Sequence, residues 1–239
     1  GMIGTGASCM QVGPSIAPEV ERLTIFQRSP HWAIHNPMYH ATVREGKKWA
    51  LKNLPFYAEW YRFQLFWSSG DGLYASLQVD PDWPTPDISL NAVNHSFREN
   101  LVAHIRKELG DDPDLMQKAV PSYPPYGKRM LRDNHWYKML TRDNVALVTD
   151  PIDHVRPEAV VTRDGTAHPV DVLVLATGFQ AGRMTWPMRI AGHGGRTLRE
   201  LWGEDDPRAY LGITVPGFPN FFVMYGPNTN LAHGGSAIF

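Results

Sequence analysis

Hydrophobic positions near the amino end follow the order strand, turn, helix, strand. Met2 and Ile3 precede a glycine-containing turn, and apolar residues then recur at helical spacing over residues 7–20. A glycine and two prolines inside that range predict a short or bent helix. Residues 23–27 are an apolar run rich in strand-forming side chains. This order within the first 30 residues indicates the opening of a right-handed parallel α/β unit.

The middle of the chain has a helical pattern. Apolar and aromatic residues recur at helical spacing over residues 47–77, and a second helix is predicted over residues 91–109, with Gly110 ending it. We therefore expect residues 43–134 to be a helical insertion. The aromatic residues from Trp49 to Trp83 could line a ligand pocket, but aromatic residues at this spacing more often serve packing.

Strand patterns return after the helical segment. Strands are predicted at residues 145–148, 170–176 and 221–225. A further strand pattern is formed by Val155, Val160 and Val161 around a hairpin-like turn at Asp164-Gly165. The run at 170–176 is almost continuously apolar, which predicts a buried strand. The chain as a whole is expected to have an α/β fold with a parallel sheet.

The composition excludes several classes of protein. With 43% hydrophobic and 20% charged residues the chain is an ordinary globular one, neither disordered nor collagen-like. The 23 Lys and Arg residues nearly balance 24 Asp and Glu residues, so the net charge of −1 offers no overall attraction for nucleic acid or an anionic membrane. A single cysteine, Cys9, excludes intrachain disulfides and cysteine-ligated zinc.

We expect a cytoplasmic protein without a membrane segment. The longest uncharged stretch, residues 209–239, is interrupted by prolines and glycines, which no spanning helix would contain in such number. The amino end has neither a basic region nor an apolar signal core. The lone cysteine also suits a reducing compartment.

The turn from Gly4 to Cys9 fits the dinucleotide-binding pattern G-x-G-x-x-(G/A), with Cys9 in place of the third small residue. Gly4 permits a tight turn, Gly6 lets the backbone approach a pyrophosphate, and the following helix supplies N–H groups. An ordinary glycine-rich strand-to-helix turn is the alternative. The residues expected to bind the coenzyme here are Gly4, Thr5, Gly6, Ala7 and Ser8.

The end of the second predicted strand indicates which coenzyme is preferred. NAD-binding folds place an acidic residue there for the ribose 2′-hydroxyl, but this chain has Gln27-Arg28-Ser29. Arg28 offers a permanently charged planar fork that suits a 2′-phosphate, and Ser29 adds a donor. The sequence therefore predicts NADP rather than NAD, although Arg28 could also be a solvated surface arginine.

Together with the glycine-rich turn, five runs along the chain resemble the Baeyer–Villiger flavoprotein monooxygenases. The resemblance covers nearly the whole chain, and the tyrosine-proline and Gly-Pro-Asn runs are most similar to the aryl-ketone (4-hydroxyacetophenone) branch. The runs are Phe26-Gln27-Arg28-Ser29-Pro30, Tyr123-Pro124-Pro125-Tyr126-Gly127-Lys128-Arg129, Arg142-Asp143-Asn144-Val145, Leu175-Ala176-Thr177-Gly178-Phe179 and Gly226-Pro227-Asn228-Thr229-Asn230.

This resemblance implies the cofactors NADPH and FAD, and the conversion of a ketone to an ester by O2. It places Lys128 and Arg28 on the 2′-phosphate and makes Arg129 the active-site arginine that stabilises the negatively charged flavin peroxide. A fixed cation suits such a role because arginine does not lose its proton. Without the resemblance, Lys128-Arg129 would be taken for a surface dipeptide. The further cofactor contacts that it implies are Ala176, Thr177, Gly178 and Asn228.

The resemblance also implies a domain organisation. A Rossmann-like NADP-binding domain is expected in two parts, residues 1–42 and 135–178, separated by the helical insertion at 43–134. Residues 179–239 are expected to belong to a partial FAD-binding domain. Because the FAD turn of such enzymes precedes the NADP turn, this chain is expected to be a fragment that is inactive alone and that self-associates through an uncovered sheet edge.

Four other interpretations concern different functions. A flavin monooxygenase that oxygenates nitrogen or sulfur shares the nucleotide turns, but the tyrosine-proline run with Lys128-Arg129 argues against it. A catalytically silent NADP-binding module remains open. No metal site is expected at His31, His35 and His40, because no firm ligand spacing and no nearby carboxylate or cysteine supports one. Ser236 lacks the setting of a hydrolase nucleophile.

Overall fold

The computed structural model describes residues 1–229, without the side chains of residues 68, 69 and 71. Asn230 and Ser236 therefore lie outside the described residues. The strands in chain order are β1 (Met2–Ile3), β2 (Leu23–Phe26), β3 (Ala33–Ile34), β4 (Leu131–Arg132), β5 (Val145–Val148), β6 (Ile152–Arg156), β7 (Ala159–Thr162), β8 (Ala167–Pro169) and β9 (Val174–Leu175). The α-helices are α1 (Ala7–Ile16), α2 (Glu45–Asn53), α3 (Tyr57–Ser69), α4 (Asp71–Leu77), α5 (Ala92–Leu109), α6 (Pro113–Ala119), α7 (Trp136–Leu140) and α8 (Leu198–Trp202).

Four of the strands form a parallel sheet in the order β5-β2-β1-β9. Met2 lies between Ile25 of β2 and Val174 of β9, so β1 is a central strand. Counted in chain order, β1, β2, β5 and β9 are the first, second, third and fourth strands of this sheet, so their order in space is third, second, first, fourth. The dinucleotide-binding fold begins with the same strand order. The expected α/β fold with a parallel sheet is confirmed.

The chain packs into two units. Unit 1 comprises residues 1–54 and 75–178, and unit 2 comprises residues 55–74 and the chain after Gly178. Most of the helical segment 43–134 joins unit 1 in this division. None of the helices within residues 1–229 is both long enough and apolar enough to cross a bilayer.

The core of unit 1 lies between the parallel sheet and helices α1, α5 and α7. Met2 and Ile25 of the sheet are fully buried, and so are Cys9 of α1 and Ile105 of α5. Helix α5 is bounded as its sequence predicts, because the Asn91 side chain accepts a hydrogen bond from the Asn94 N–H and Gly110 ends the helix at φ +71°. Helix α1 ends at Ile16 and is short, as predicted, and it includes Pro14.

Two predicted strands differ in the structure. Within residues 170–176 only β9 (Val174–Leu175) is a strand, and the exposed fractions of Val172 and Leu175 are 70% and 68%. The prediction of a buried strand is wrong because β9 is the last strand of the sheet and has no neighbour on its far side among the described residues. The strand predicted at 221–225 is also wrong, since only Phe222 forms a bridge there, with Thr214.

The predicted hairpin turn at Asp164-Gly165 is present in the structure. Strands β6, β7 and β8 form an antiparallel sheet, and Asp164-Gly165 joins β7 to β8. Asp164 fits this turn because its carboxylate accepts hydrogen bonds from the Thr162 hydroxyl at 2.6 Å and from the Thr166 N–H at 3.0 Å. Gly165 adopts the required positive φ of +87°.

Unit 2 contains a small apolar cluster around α8. Leu198, Trp202, Val215 and Phe218 are buried in it, and α8 begins with a capping box between Thr197 and Glu200.

The aromatic residues of α3, also in unit 2, do not form a packed core within the described residues. Trp60, Phe63 and Trp67 stack along one side of the helix, with ring centroids 5.7 and 5.8 Å apart. Their exposed fractions are nevertheless 56%, 48% and 51%. The expectation that these side chains serve core packing is therefore not met.

Candidate functional site

The glycine-rich turn lies at the carboxyl end of β1, between the ends of β2 and β9. Gly4 has φ +104°, and its N–H donates to the Phe26 carbonyl at 3.0 Å. A Cβ atom on Gly4 would overlap the carbonyl oxygen of Ala176, which follows β9. Only glycine satisfies both the conformation and this close approach. The turn thus lies where the strand order of the sheet reverses, which is where α/β folds bind nucleotides.

Gly6 leaves open space at the amino end of α1. It is the N-cap residue with φ −80° and ψ −165°, and no side chain caps the helix there. A Cβ atom on Gly6 would have no neighbour within 4 Å, and Ala7 and Ser8 of the first helical turn are exposed. The free N–H groups of the first turn and the helix dipole favour an anion in this space. The geometry therefore fits a pyrophosphate.

Ser29 joins the glycine-rich turn to a lysine far along the chain. The buried Thr5 hydroxyl donates to the Ser29 carbonyl at 3.1 Å. The Lys128 ammonium, 99 residues after Ser29 in sequence, donates to the Ser29 hydroxyl at 2.7 Å. Arg28 precedes Ser29 and is exposed. The structure thus places the predicted phosphate-binding residues Arg28, Ser29 and Lys128 beside the turn.

The electrostatics of this group favour an anionic ligand. Partial burial and, second to it, the positive charge of Arg28 lower the pKa of Lys128. Burial and the charge of Lys128 lower the pKa of His31, whose Nδ1 is buried without a hydrogen-bond partner. Two cations that repel each other across Ser29 are stabilised when a doubly charged phosphate lies between them. The residues present therefore fit the 2′-phosphate of NADP.

Tyr123 is a supporting residue that sequence reasoning did not single out. Its ring lies 4.8 Å from the Lys128 ammonium, a cation–π distance. Its hydroxyl donates to the Pro30 carbonyl at 2.9 Å, and its own carbonyl accepts from the Trp32 indole at 3.0 Å. Burial raises the pKa of Tyr123 to about 12, so the hydroxyl stays protonated and keeps donating. The tyrosine therefore fixes Lys128 relative to the segment that follows β2.

Asn94 connects α5 to the Tyr123–Lys128 run. It is fully buried, and its amide donates to the carbonyls of Ser76 at 3.1 Å and Pro125 at 3.2 Å. Its side-chain oxygen accepts from the Leu90 N–H at 3.3 Å. The Tyr123–Lys128 run is thus held against α5 by a satisfied buried amide.

The remaining predicted site residues lie at three places. Arg129 follows Lys128, is exposed and precedes β4, while Ala176, Thr177 and Gly178 follow β9 in unit 1 next to the glycine-rich turn. Asn228 belongs to unit 2, where it has a positive φ of +62°. Unit 1 therefore contains the coenzyme-binding residues predicted for the turn, for the end of β2 and for the end of β9.

The described residues do not fit FAD by themselves. Within residues 1–229, the segment from Gly4 to Ser8 is the only glycine-rich turn that leads from a parallel strand into a helix. Arg28, Ser29 and Lys128 lie beside that turn and fit the 2′-phosphate of NADP. Binding a second dinucleotide requires a second glycine-rich turn whose N–H groups contact its pyrophosphate.

Comparison with known proteins gives a consistent result. No protein-family model matches the chain. The chain is 44% identical over 238 residues to an uncharacterised monooxygenase, y4iD, of Sinorhizobium fredii, covering all of this chain and 36% of that protein. It is 36% identical over 232 residues to a Baeyer–Villiger monooxygenase of Streptomyces coelicolor, covering 97% of this chain and 42% of that protein.

A solved structure agrees with these relatives. The crystal structure of OTEMO in complex with FAD and NADP matches with a TM-score of 0.73 and 27% identity, covering 95% of this chain and 47% of that one. The chain spans less than half the length of each of these three proteins. By sequence and by fold, the chain is therefore similar to a segment of proteins that are named as monooxygenases, among them Baeyer–Villiger monooxygenases.

Proposed function

We propose that this chain is the NADPH-binding part of a Baeyer–Villiger-type flavin monooxygenase, which converts a ketone to an ester with O2. The observation that supports this best is the group formed by Arg28, Ser29 and Lys128 beside a glycine turn at the point where the sheet order reverses. The names of the Streptomyces relative and of the OTEMO complex support the chemistry and the two cofactors.

Each part of the site has a separate role in this proposal. The N–H groups from Gly6 to Ser8 bind the pyrophosphate of NADPH, which supplies a hydride when bound. Arg28 and Lys128 bind the 2′-phosphate and so discriminate against NADH. Arg129 provides positive charge for an oxygen on which negative charge develops.

The domain organisation and the substrate belong to the same proposal. We assign residues 1–42 and 135–178 to the NADP-binding domain, 43–134 to a helical insertion and 179–239 to part of an FAD-binding domain. The substrate is proposed to be an aryl ketone, on the resemblance of the tyrosine-proline and Gly-Pro-Asn-Thr-Asn runs. A cytoplasmic location and self-association through the edge of β9 are also proposed, the latter because Leu175 is exposed there.

Parallel titrations with NADPH and NADH test the coenzyme assignment. We expect NADPH to bind more tightly, and Arg28→Ala to remove most of the difference, because a charge-assisted contact contributes about 1.5–3 kcal/mol, or about 10- to 150-fold in affinity. Arg22→Ala is the matched control, since Arg22 is an exposed arginine before the opposite end of β2. Equal affinities of the unmutated chain for NADPH and NADH would contradict the assignment.

The absence of a second dinucleotide turn among the described residues leads to a further expectation. The purified chain should contain no tightly bound flavin and should not oxidise NADPH when a ketone is added. Flavin absorbance of the purified protein and the rate of NADPH oxidation measure this. A yellow preparation that oxidises a ketone would refute it.

A further inference from the structure

Strands β3 and β4 bring together two polar residues that lie far apart in sequence. The strands are parallel, with Ile34 beside Arg132, and the N–H of Asp133 donates to the Ile34 carbonyl at 3.0 Å. His35 and Asp133 each follow the last residue of their strand. They therefore lie together at the carboxyl end of this two-stranded sheet.

Helix α5 adds a second imidazole at this end of the sheet. His104 Nε2 lies 2.7 Å from Oδ2 of Asp133, and the His104 ring stacks on the His35 ring with centroids 4.5 Å apart and planes at 28°. The three ligand atoms, one from each side chain, all lie within 4.8 Å of one another. The side chains of His104 and Asp133 are only 12% and 5% exposed, whereas His35 is exposed.

The buried members of the group are oriented by their neighbours. Oδ1 of Asp133 accepts the Trp136 N–H at 2.9 Å at the start of α7, which leaves Oδ2 directed to His104. The Tyr137 ring packs edge-on against His104 with centroids 5.9 Å apart. Such outer contacts hold ligands in place in metal centres.

We propose that His35, His104 and Asp133 form a binding site for a divalent transition metal such as Zn²⁺. Two imidazole nitrogens and one carboxylate oxygen are a ligand set that zinc accepts, and water completes the four positions on the exposed side of His35. Metal–ligand bonds of about 2.0–2.2 Å place tetrahedral ligands about 3.4 Å apart.

The group reaches this geometry through small movements. The exposed side chain of His35 moves about 1 Å toward the side chains of His104 and Asp133, and His104 moves slightly away from Asp133. Any proton shared between His104 Nε2 and the carboxylate passes to solvent as the metal binds. The bound metal then joins α5 to the β3–β4 sheet.

A second pair of histidines nearby provides an internal control. His40 stacks on His135 with centroids 4.8 Å apart and planes at 14°. His40 Nε2, however, lies 2.7 Å from the amide oxygen of Asn134, so this pair has an uncharged amide where the other has a carboxylate. A neutral amide is a weaker metal ligand than a carboxylate, and the pair should not hold zinc with similar affinity.

Zinc binding by the 239-residue chain, with any affinity tag removed, tests the proposal by calorimetry and by competition with a chromophoric chelator. We expect one zinc site that His35→Gln weakens at least about tenfold, since loss of even an outer partner costs about 10- to 100-fold. His40→Gln should leave it unchanged. Both replaced residues are exposed, so both variants should fold.

Asp133→Asn is a second variant, because its amide oxygen can still accept the Trp136 N–H while the charge is lost. It should also weaken zinc binding at least about tenfold. The absorption spectrum of bound Co²⁺ should show four-coordinate nitrogen and oxygen ligation. The proposal is overturned if His35→Gln binds zinc as the unmutated chain does, or if His40→Gln weakens binding equally.

Discussion

Replacing either glycine of the turn by alanine should separate folding from coenzyme binding. In Gly4→Ala the new Cβ overlaps the Ala176 carbonyl and the residue must keep a φ of +104°. The unfavourable conformation costs about 1–3 kcal/mol, and an overlap with a rigid backbone atom about 1–3 kcal/mol more. The combined loss, about 2–6 kcal/mol, is a large fraction of the 5–15 kcal/mol typical of a folded domain.

Gly6→Ala should have the opposite effect. Its φ of −80° is accessible to alanine, and the new Cβ has no neighbour within 4 Å. The free energy of unfolding should therefore change by less than about 1 kcal/mol, since the lost N-cap preference is offset by a less flexible unfolded chain. The added methyl group occupies the space assigned to the pyrophosphate, so NADPH affinity should fall at least about tenfold.

Urea unfolding followed by circular dichroism and tryptophan fluorescence measures the stability of both variants, and calorimetric titration measures NADPH binding. Trp32 and Trp136 are buried in the core of unit 1 and report on its unfolding. The reasoning is refuted if Gly4→Ala is as stable as the unmutated chain. It is refuted equally if Gly6→Ala binds NADPH with unchanged affinity.

Three further predictions concern the supporting residues. Tyr123→Phe removes the donor to the Pro30 carbonyl and should lower the free energy of unfolding by about 1 kcal/mol in urea titrations. NADPH affinity should decrease as rising pH deprotonates Lys128, beginning below the usual lysine range because the pKa of Lys128 is lowered, and Lys128→Arg should flatten this profile. Burial raises the pKa of Cys9 to about 12, so an aromatic disulfide reagent should modify it in urea but not in the native protein.

The local elements were predictable because each depends on neighbouring residues. The turn at Gly4 follows from its own glycine spacing, and α5 from the helical spacing of its apolar residues and from Gly110. The Asp164-Gly165 turn was also correctly located. The pairing of β7 with both β6 and β8 was not predicted, because a turn pattern shows where the chain reverses but not which strands pair across it.

Exposure was harder to predict than secondary structure. An apolar run such as 170–176 is expected in the interior, yet Leu175 is largely exposed, since periodicity cannot show which faces another element covers. The same limit applies to the aromatic residues of α3. Burial of an apolar side chain lowers the free energy, but the fold determines whether another element covers it.

Long-range polar contacts could not be predicted from local spacing. The hydrogen bond from Lys128 to Ser29 joins residues that are 99 positions apart, and the sequence suggested it only through a family resemblance. A carboxylate near His35 was not predicted, because only the pairing of β3 with β4 brings Asp133 close to His35. Parallel strands place such residues together without leaving a sequence motif.

The buried amide of Asn94 restricts how this fold can be recombined. Its two donated hydrogen bonds end on backbone carbonyls of Ser76 and Pro125, from separate stretches of the chain. A chimaera that exchanges α5 alone and loses Asn94 would remove both of these buried hydrogen bonds, at a cost of about 1–3 kcal/mol for each. Successful grafts should therefore transfer residues 75–128 as one block, lysine included.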